Sequence, residues 1–302
     1  MKLAGVFAPI PTPFDDQDQV DTRRLRAALD KWTKRGLTGI VVLGSNGEAA
    51  LLDEMESDRV IVAARESIPR SQTMIVGTGR ESTQAVIKAS RRAAELGADY
   101  VLVRTPGFFK SQMTTDVFVR HYTAVADASP VPVLIYNFTA VTGVNILPAA
   151  VSRLASHKNI AGMKESGGDI GQIAEVVANT PDSFQMLAGA LGTFYAAICV
   201  GCAGGILAPA CVVAEMCVRL YELTRDGKHD VARRLQQELL PIAKLLGGGG
   251  YGVAGLKAAL SVIGYDVGIP RPPLMPAPEA AYAAVRDALS HFRDTLHESA
   301  AR

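Results

Sequence analysis

Residues 159–169 read NIAGMKESGGD, and the order of strand, polar turn and helix in this stretch recurs along the chain. Ile160 to Met163 carry no charge, which is typical of a short buried strand, and Lys164 stands at its C-terminal end. Burial disfavours the ammonium form of a lysine, so the neutral amine becomes available for Schiff-base chemistry on a ketone. The alternative is that Lys164 ends an edge strand and extends its head into water.

Outward from this stretch, short apolar runs alternate with amphipathic helical patterns. Such alternation predicts an α/β fold with a parallel sheet, and a count of eight strands favours a closed (β/α)8 TIM barrel over an open doubly wound sheet. The seven other predicted strands cover residues 5–8, 39–43, 73–76, 100–103, 131–136, 184–188 and 204–207.

The strands cease at about Glu215, and the rest of the chain alternates helical patterns with breaks at 247–250 and 269–276. We therefore predict a barrel catalytic domain over residues 1–225 and a small C-terminal helical domain over 226–302.

The composition indicates a soluble globular protein that binds a small molecule. Hydrophobic residues make up 48% of the 302 residues and charged residues 20%, and the net charge of +1 gives no attraction to nucleic acid or to anionic membranes. The N-terminus lacks the apolar run of a signal peptide, so we expect a cytoplasmic protein.

The long apolar region at residues 186–214 could be either barrel core or a membrane span. No charged residue occurs between Met186 and Ala214, and this pattern favours two buried strands joined by a sheltered helix over a membrane span.

All four cysteines lie at 199–217, where buried free thiols are favoured over a zinc site. The five histidines are interpreted as surface residues, no motif points to a metal, and no cofactor is expected.

In a barrel the chemistry lies at the C-terminal ends of the strands. Alternation along the sixth strand directs Lys164 and Ser166 to one face and Glu165 to the helices, so Glu165 is not predicted to be a catalytic acid. Tyr136 ends the fifth strand, where a core role and a role in proton transfer are both open. The other side chains expected at this end are those of Ser45, Asn46 and Thr105, together with Gly189.

The turn GSNGE at 44–48 offers backbone N–H groups and small polar side chains that suit a carboxylate, although a simple strand-to-helix turn is the alternative. GSNGE, IYN at 135–137 and GMKESGGD at 162–169, in this order and spacing, resemble the dihydrodipicolinate synthase and N-acetylneuraminate lyase superfamily. With ESTQA at 81–85 and HYTAVADASPVPV at 121–133, the chain most closely resembles its 4-hydroxy-2-oxoglutarate aldolase branch.

This resemblance implies a class I lyase or aldolase on a (β/α)8 barrel, commonly a homotetramer, acting on a 2-oxo acid. It implies that Lys164 is the Schiff-base lysine and that Tyr136 shuttles protons. It further implies that the substrate is bound by Ser45, Asn46, Ser166, Gly189 and Ile206.

Two departures from the family pattern bear on the substrate. Val141 stands where the synthase branch has an arginine for a second carboxylate, and an aliphatic side chain cannot form that ion pair. Phe108 and Phe109 stand where relatives have tyrosines, one of which reaches a neighbouring subunit's site. With Phe138, these residues suggest an apolar rim and a less charged distal group on the substrate.

The favoured reaction is cleavage of 4-hydroxy-2-oxoglutarate to pyruvate and glyoxylate. Other 4-hydroxy-2-oxo acids, dehydration, or synthesis as in dihydrodipicolinate synthase remain open. A non-catalytic protein that binds a 2-oxo acid is a further alternative.

Overall fold

The computed structural model describes residues 3–247, 250–290 and 292, and its centre is a closed barrel of eight parallel strands paired in chain order. Because β8 pairs with β1, no strand of the barrel has a free edge. The strands are β1 Gly5–Pro9, β2 Gly39–Val42, β3 Thr73–Gly77, β4 Tyr100–Arg104, β5 Val133–Asn137, β6 Ile160–Glu165, β7 Gln185–Ala188 and β8 Gly204–Ile206. The prediction of a (β/α)8 barrel is confirmed.

Helices separate successive strands, and several begin where the sequence supplies a capping side chain. Asp21 accepts hydrogen bonds from the N–H groups of residues 23 and 24, and Asp53 forms a reciprocal capping box with Glu56. The helices are α1 Thr22–Trp32, α2 Glu54–Ser67, α3 Thr83–Glu95, α4 Thr115–Ala128, α5 Thr139–Thr142, α6 Pro148–Leu154, α7 Ile170–Ala178, α8 Phe194–Cys199, α9 Ala214–Arg225, α10 His229–Glu238, α11 Leu240–Leu246, α12 Gly252–Val262 and α13 Glu279–Ser290.

Alternate residues of each strand contribute to two separate apolar cores. One fills the barrel and includes Phe7, Leu134 and Leu187. The other lies between the strands and the surrounding helices and includes Trp32 and Met163. The polar groups that line the mouth of the barrel therefore stand on a rigid floor of packed side chains.

The C-terminal helices cover part of the barrel. Helix α9 ends at Arg225, where the sequence places the domain boundary; that boundary stays a prediction. The break predicted at 247–250 falls between α11 and α12, and Gly248 and Gly249 of that break lie outside the described residues. Trp32 stacks on Tyr265 of the C-terminal part, and its indole N–H donates to Cys211 O within the barrel part at 2.9 Å.

The uncharged stretch from Met186 to Ala214 forms β7, α8, β8 and the start of α9, as the barrel interpretation predicts. None of the helices in the described part of the chain is long and apolar enough to cross a membrane. The helix predicted around 190–200 is shorter than expected, because a 3₁₀ turn occupies residues 191–193. Gln236 holds this turn by donating to Leu191 O and accepting from the N–H of Tyr195.

The prediction that all five histidines are surface residues is wrong for His121. This side chain is 5% exposed on α4, its Nδ1 lies 2.9 Å from the hydroxyl of Thr83, and burial lowers its pKa to about 4. Its apolar neighbours made α4 amphipathic, and the sequence did not show that the histidine belongs to the buried side. His291 and His297 lie outside the described residues.

We expect His121 to make the stability of the protein depend on pH. The unfolded chain binds a proton at the ordinary histidine pKa, whereas the folded chain resists it until about pH 4. The contribution is therefore complete above the ordinary pKa and is lost as the pH falls towards 4. Denaturant unfolding should show that the wild type loses about 2 kcal/mol more than His121→Gln between about pH 7.5 and about pH 5. Parallel losses would contradict this assignment; the exposed His229 offers a control substitution.

Candidate active site

A cavity of about 1160 Å³ opens at the C-terminal end of the barrel. Strand ends and loops form its floor, and Leu240, Ala243 and Val253 of the C-terminal helices form part of its wall. All seven residues that the sequence analysis assigns to the site line this cavity, namely Ser45, Asn46, Tyr136, Lys164, Ser166, Gly189 and Ile206.

Lys164 lies inside the barrel. Strand β6 is paired on both sides, with Tyr136 of β5 and Leu187 of β7 beside Lys164, so the edge-strand alternative is excluded. The side chain is buried, and Nζ lies 4.2 Å from the centroid of the Tyr136 ring. An amine in this position can reach a carbonyl carbon in the cavity while the aromatic ring shields it from water.

Tyr136 joins the lysine to the turn after β2. Its hydroxyl lies 3.3 Å from the hydroxyl of Ser45, and its ring stacks on Phe138 with the centroids 5.9 Å apart. The phenol is 4% exposed. This short chain of a lysine, a phenol and a serine hydroxyl can carry a proton between a bound substrate and the cavity wall.

The GSNGE turn has an unusual backbone that several contacts hold in place. Leu43, just before the turn, and Glu48, its last residue, have positive φ values of 55° and 54°. This backbone conformation costs free energy in residues other than glycine. The amide of Asn46 donates to Pro9 O at 3.3 Å, and the hydroxyl of Thr12 donates to Gly47 O at 2.6 Å.

A buried ion pair fixes the end of this turn. The Nζ atom of Lys257 on α12 lies 2.7 Å from Glu48 Oε1, and both side chains are almost fully buried. The other oxygen of Glu48 accepts the backbone N–H of Arg271 at 2.8 Å. Helix α12 and the loop that follows it therefore position the turn that carries Ser45 and Asn46.

Ser166 and Gly189 are packed too closely for a larger residue at position 189. A Cβ atom there would lie 2.0 Å from the hydroxyl oxygen of Ser166. The backbone N–H of Gly189 donates to Glu165 O at 2.7 Å, which joins the ends of β6 and β7. Ile206 is fully buried at the floor of the cavity.

Glu165 faces the helices, as the strand alternation predicts. Its carboxylate accepts hydrogen bonds from Asn137 at 2.6 Å and Gln172 at 3.1 Å, and also from the N–H of Gly167. Burial raises the pKa of Glu165, while the hydrogen bonds oppose that rise. The side chain fixes the strand ends and does not line the cavity.

Three predictions about the rim are corrected. Phe108 and Phe109 are 77% and 68% exposed, pack edge to face on each other and do not line the cavity of their own chain. Their loop is held outward, because Glu81 accepts the N–H groups of residues 107 and 108. Thr105 is buried against Thr142 and also lies outside the cavity, whereas Val141 and Phe138 do line it.

Besides Lys164 and Glu48 of the GSNGE turn, the charged residues described on the cavity wall are Arg80, Glu81, Arg104 and Lys244, and none of these four was predicted from the sequence. Arg104 ends β4 and pairs with Glu81 at 2.7 Å. Arg80 follows β3 within three residues, so its place after a strand was the available signal.

The cysteines are free thiols, and they are not part of this cavity. Three are buried, and burial raises the pKa values of Cys202 and Cys217 to about 12. Within the part of the chain that the structure describes, no group of three or more histidine, cysteine, aspartate or glutamate residues is arranged to hold a metal ion.

Comparisons with known proteins agree with this architecture. A model of the dihydrodipicolinate synthetase family matches residues 2–292. A 4-hydroxy-tetrahydrodipicolinate synthase of Exiguobacterium sp. is 34% identical over 97% of this chain and 99% of that protein. A probable mitochondrial 4-hydroxy-2-oxoglutarate aldolase of Emericella nidulans is 36% identical over 95% of this chain and 94% of that protein.

Solved structures give the same result. Dihydrodipicolinate synthase from Thermotoga maritima has a TM-score of 0.91 and 28% identity, with 96% of this chain and 99% of that chain covered. YagE, an Escherichia coli prophage protein solved in complex with pyruvate, has a TM-score of 0.89 and 27% identity, also with 96% and 99% covered.

Proposed function

This protein belongs to the dihydrodipicolinate synthetase family, and from that premise we propose that it cleaves 4-hydroxy-2-oxoglutarate to pyruvate and glyoxylate through a Schiff base on Lys164. The family membership and the names of the relatives make it a lyase; the substrate and the residue roles are the proposal. The observation that carries it is the buried amine of Lys164 over the ring of Tyr136, with the Tyr136 hydroxyl beside Ser45.

In the proposed reaction, Lys164 Nζ adds to the C2 carbonyl of the 2-oxo acid, and loss of water gives a protonated imine. Tyr136, as phenolate or through a substrate carboxylate, removes the proton of the C4 hydroxyl. The electrons of the C3–C4 bond then move to the iminium nitrogen, which releases glyoxylate and leaves an enamine. Protonation of the enamine at C3 and hydrolysis of the imine release pyruvate and restore the lysine.

The surrounding residues have separate proposed roles. Ser45 and Asn46 hold the C1 carboxylate, which fixes the scissile bond relative to the imine plane. Ser166, Gly189 and Ile206 shape the wall around the pyruvoyl part. The substrate itself supplies the carbonyl that accepts the electrons, so the proposed cycle uses no cofactor. We expect a homotetramer from the family resemblance, which light scattering can test.

Synthesis of 4-hydroxy-tetrahydrodipicolinate is the second candidate, because relatives such as that of Exiguobacterium carry this name. Val141 on the cavity wall disfavours it, since the family resemblance implies an arginine at that position in the synthases.

Pyruvate release from 4-hydroxy-2-oxoglutarate, measured beside pyruvate consumption with aspartate semialdehyde, tests the choice between these reactions. We expect release in the first assay and little consumption in the second. The reverse result would replace the aldolase proposal with the synthase, and the absence of both would refute a lyase acting on either substrate.

Removal of the phenol hydroxyl should slow the reaction without disturbing the packing. Tyr136→Phe keeps the ring that contacts Lys164 and Phe138, and we expect kcat for pyruvate release to fall about 10²–10⁴-fold because the proton carrier is gone. Tyr122→Phe is the matched control, because it removes a buried hydroxyl that donates to Val103 O outside the cavity. A Tyr136→Phe enzyme as active as this control would exclude the phenol from the chemistry.

A further inference from the structure

Among the described residues, the cavity wall carries three cations that the proposed reaction does not use: Arg104, which pairs with Glu81, the exposed Lys244, and the half-buried Arg80. Arg80 lines the cavity from the loop after β3, and its guanidinium donates at 3.1 Å to the carbonyl of its neighbour Gly79. No carboxylate of the described residues forms an ion pair with it. Burial and the nearby positive charge of Arg104 both lower the pKa of Arg80, although a guanidinium in a protein keeps its proton.

The carboxylates around Arg80 are already engaged. Glu81 pairs with Arg104 at 2.7 Å and accepts two backbone N–H groups. Glu54, whose charge acts on Arg80, lies 3.0 Å from the Nζ of Lys88. Glu48 pairs with Lys257. A half-buried guanidinium without a carboxylate partner is an unfavourable arrangement that an anionic ligand would relieve.

The position of Arg80 identifies which end of a ligand it can meet. Strand β3 lies three strands from β6 around the closed barrel, so Arg80 and Lys164 enter the mouth from different sides. The turn after β2, with Ser45 and Asn46, lies next to the loop of Arg80. A ligand whose C2 is at Lys164 and whose C1 carboxylate is at Ser45 can therefore extend a third group towards the guanidinium.

We propose that Arg80 binds the distal carboxylate of the substrate and so makes this enzyme selective for 2-oxo dicarboxylates. This inference rests on the proposed function. It replaces the prediction of a less charged distal group, because Arg80 lines the cavity beside the apolar Phe138 and Val141. It also gives the second carboxylate a cationic partner after β3, two strands from Val141, which follows β5.

The test compares 2-oxoglutarate with 2-oxopentanoate, which differ only in a distal carboxylate against a methyl group and which the proposed cleavage leaves intact. Calorimetry with the full-length protein should show tighter binding of 2-oxoglutarate. Arg80→Gln should weaken that binding about 10- to 150-fold and leave 2-oxopentanoate within about twofold. Arg80→Lys should recover part of the preference, because the charge remains but the two-pronged geometry does not. Arg91→Gln is the matched control, an exposed arginine on α3.

Equal affinity of the wild type for both ligands, or an equal loss of both in Arg80→Gln, would overturn the inference. Failure of the proposed function is a different result: borohydride would not trap pyruvate on Lys164 of the wild type. Substitution of Arg80 should leave that trapping intact, because pyruvate has no distal carboxylate.

Discussion

We expect replacement of Lys164 by alanine to lower kcat for pyruvate release by about 10⁴-fold or more, as loss of the attacking group does in other covalent enzymes. The reason is that no other amine of the described residues lies beside Tyr136 inside the barrel. The measurement is the rate of pyruvate release from 4-hydroxy-2-oxoglutarate, coupled to lactate dehydrogenase. Near-normal thermal unfolding of the variant would show that the loss is chemical.

The matched control for this change is Lys158→Ala. Lys158 is exposed and lies just before β6 begins, so the same substitution is made at the opposite end of the same strand. We expect it to retain the wild-type rate. A Lys164→Ala protein with activity close to that of Lys158→Ala would place the nucleophile elsewhere.

We expect replacement of Lys257 by methionine to destabilise the protein by about 3–5 kcal/mol, because it leaves the buried carboxylate of Glu48 without its cation. Burial lowers the pKa of Lys257, and the carboxylate of Glu48 opposes that effect. The free energy of unfolding in guanidinium chloride measures the change. Because Glu48 ends the GSNGE turn, we also expect the variant to raise KM for the 2-oxo acid.

Two further variants separate the buried pair from an ordinary surface pair. Lys88→Met breaks the exposed pair with Glu54 and should cost no more than about 1 kcal/mol. The double variant Glu48→Gln/Lys257→Met removes both buried charges and should recover a large part of the loss. A Lys257→Met protein as stable as Lys88→Met would show that the buried pair contributes nothing.

The barrel could be predicted from the sequence because each strand and helix carries its own local signal. The strand at Ile160 is apolar and bounded by polar turns, and Asp53 and Ser82 cap the helices that follow them. The observed strand ends differ from the predicted ones by one or two residues. For example, β5 begins at Val133 after a proline that cannot donate to the ladder.

The residues at the mouth could be predicted because parallel strands all end at the same rim. Strand order alone brings Tyr136 beside Lys164, and alternation alone turns Glu165 outward. The contact between Ser45 and Tyr136 required the closure of the barrel, which local patterns do not specify.

Interactions between distant parts of the chain could not be predicted. Glu48 and Lys257 are separated by most of the sequence, and neither residue shows by its neighbours that the other is its partner. Nothing local distinguishes the buried His121 from an exposed one. The outward direction of Phe108 follows from the hydrogen bonds that Glu81 accepts, and these depend on tertiary structure.

Borohydride reduction in the presence of pyruvate, followed by peptide mass mapping, tests whether Lys164 forms the Schiff base. We expect one reduced pyruvyl adduct per chain, on the peptide that contains Lys164, and no adduct on the Lys164→Ala protein. A wild-type protein that remains unmodified, or an adduct that persists in Lys164→Ala, would contradict this expectation.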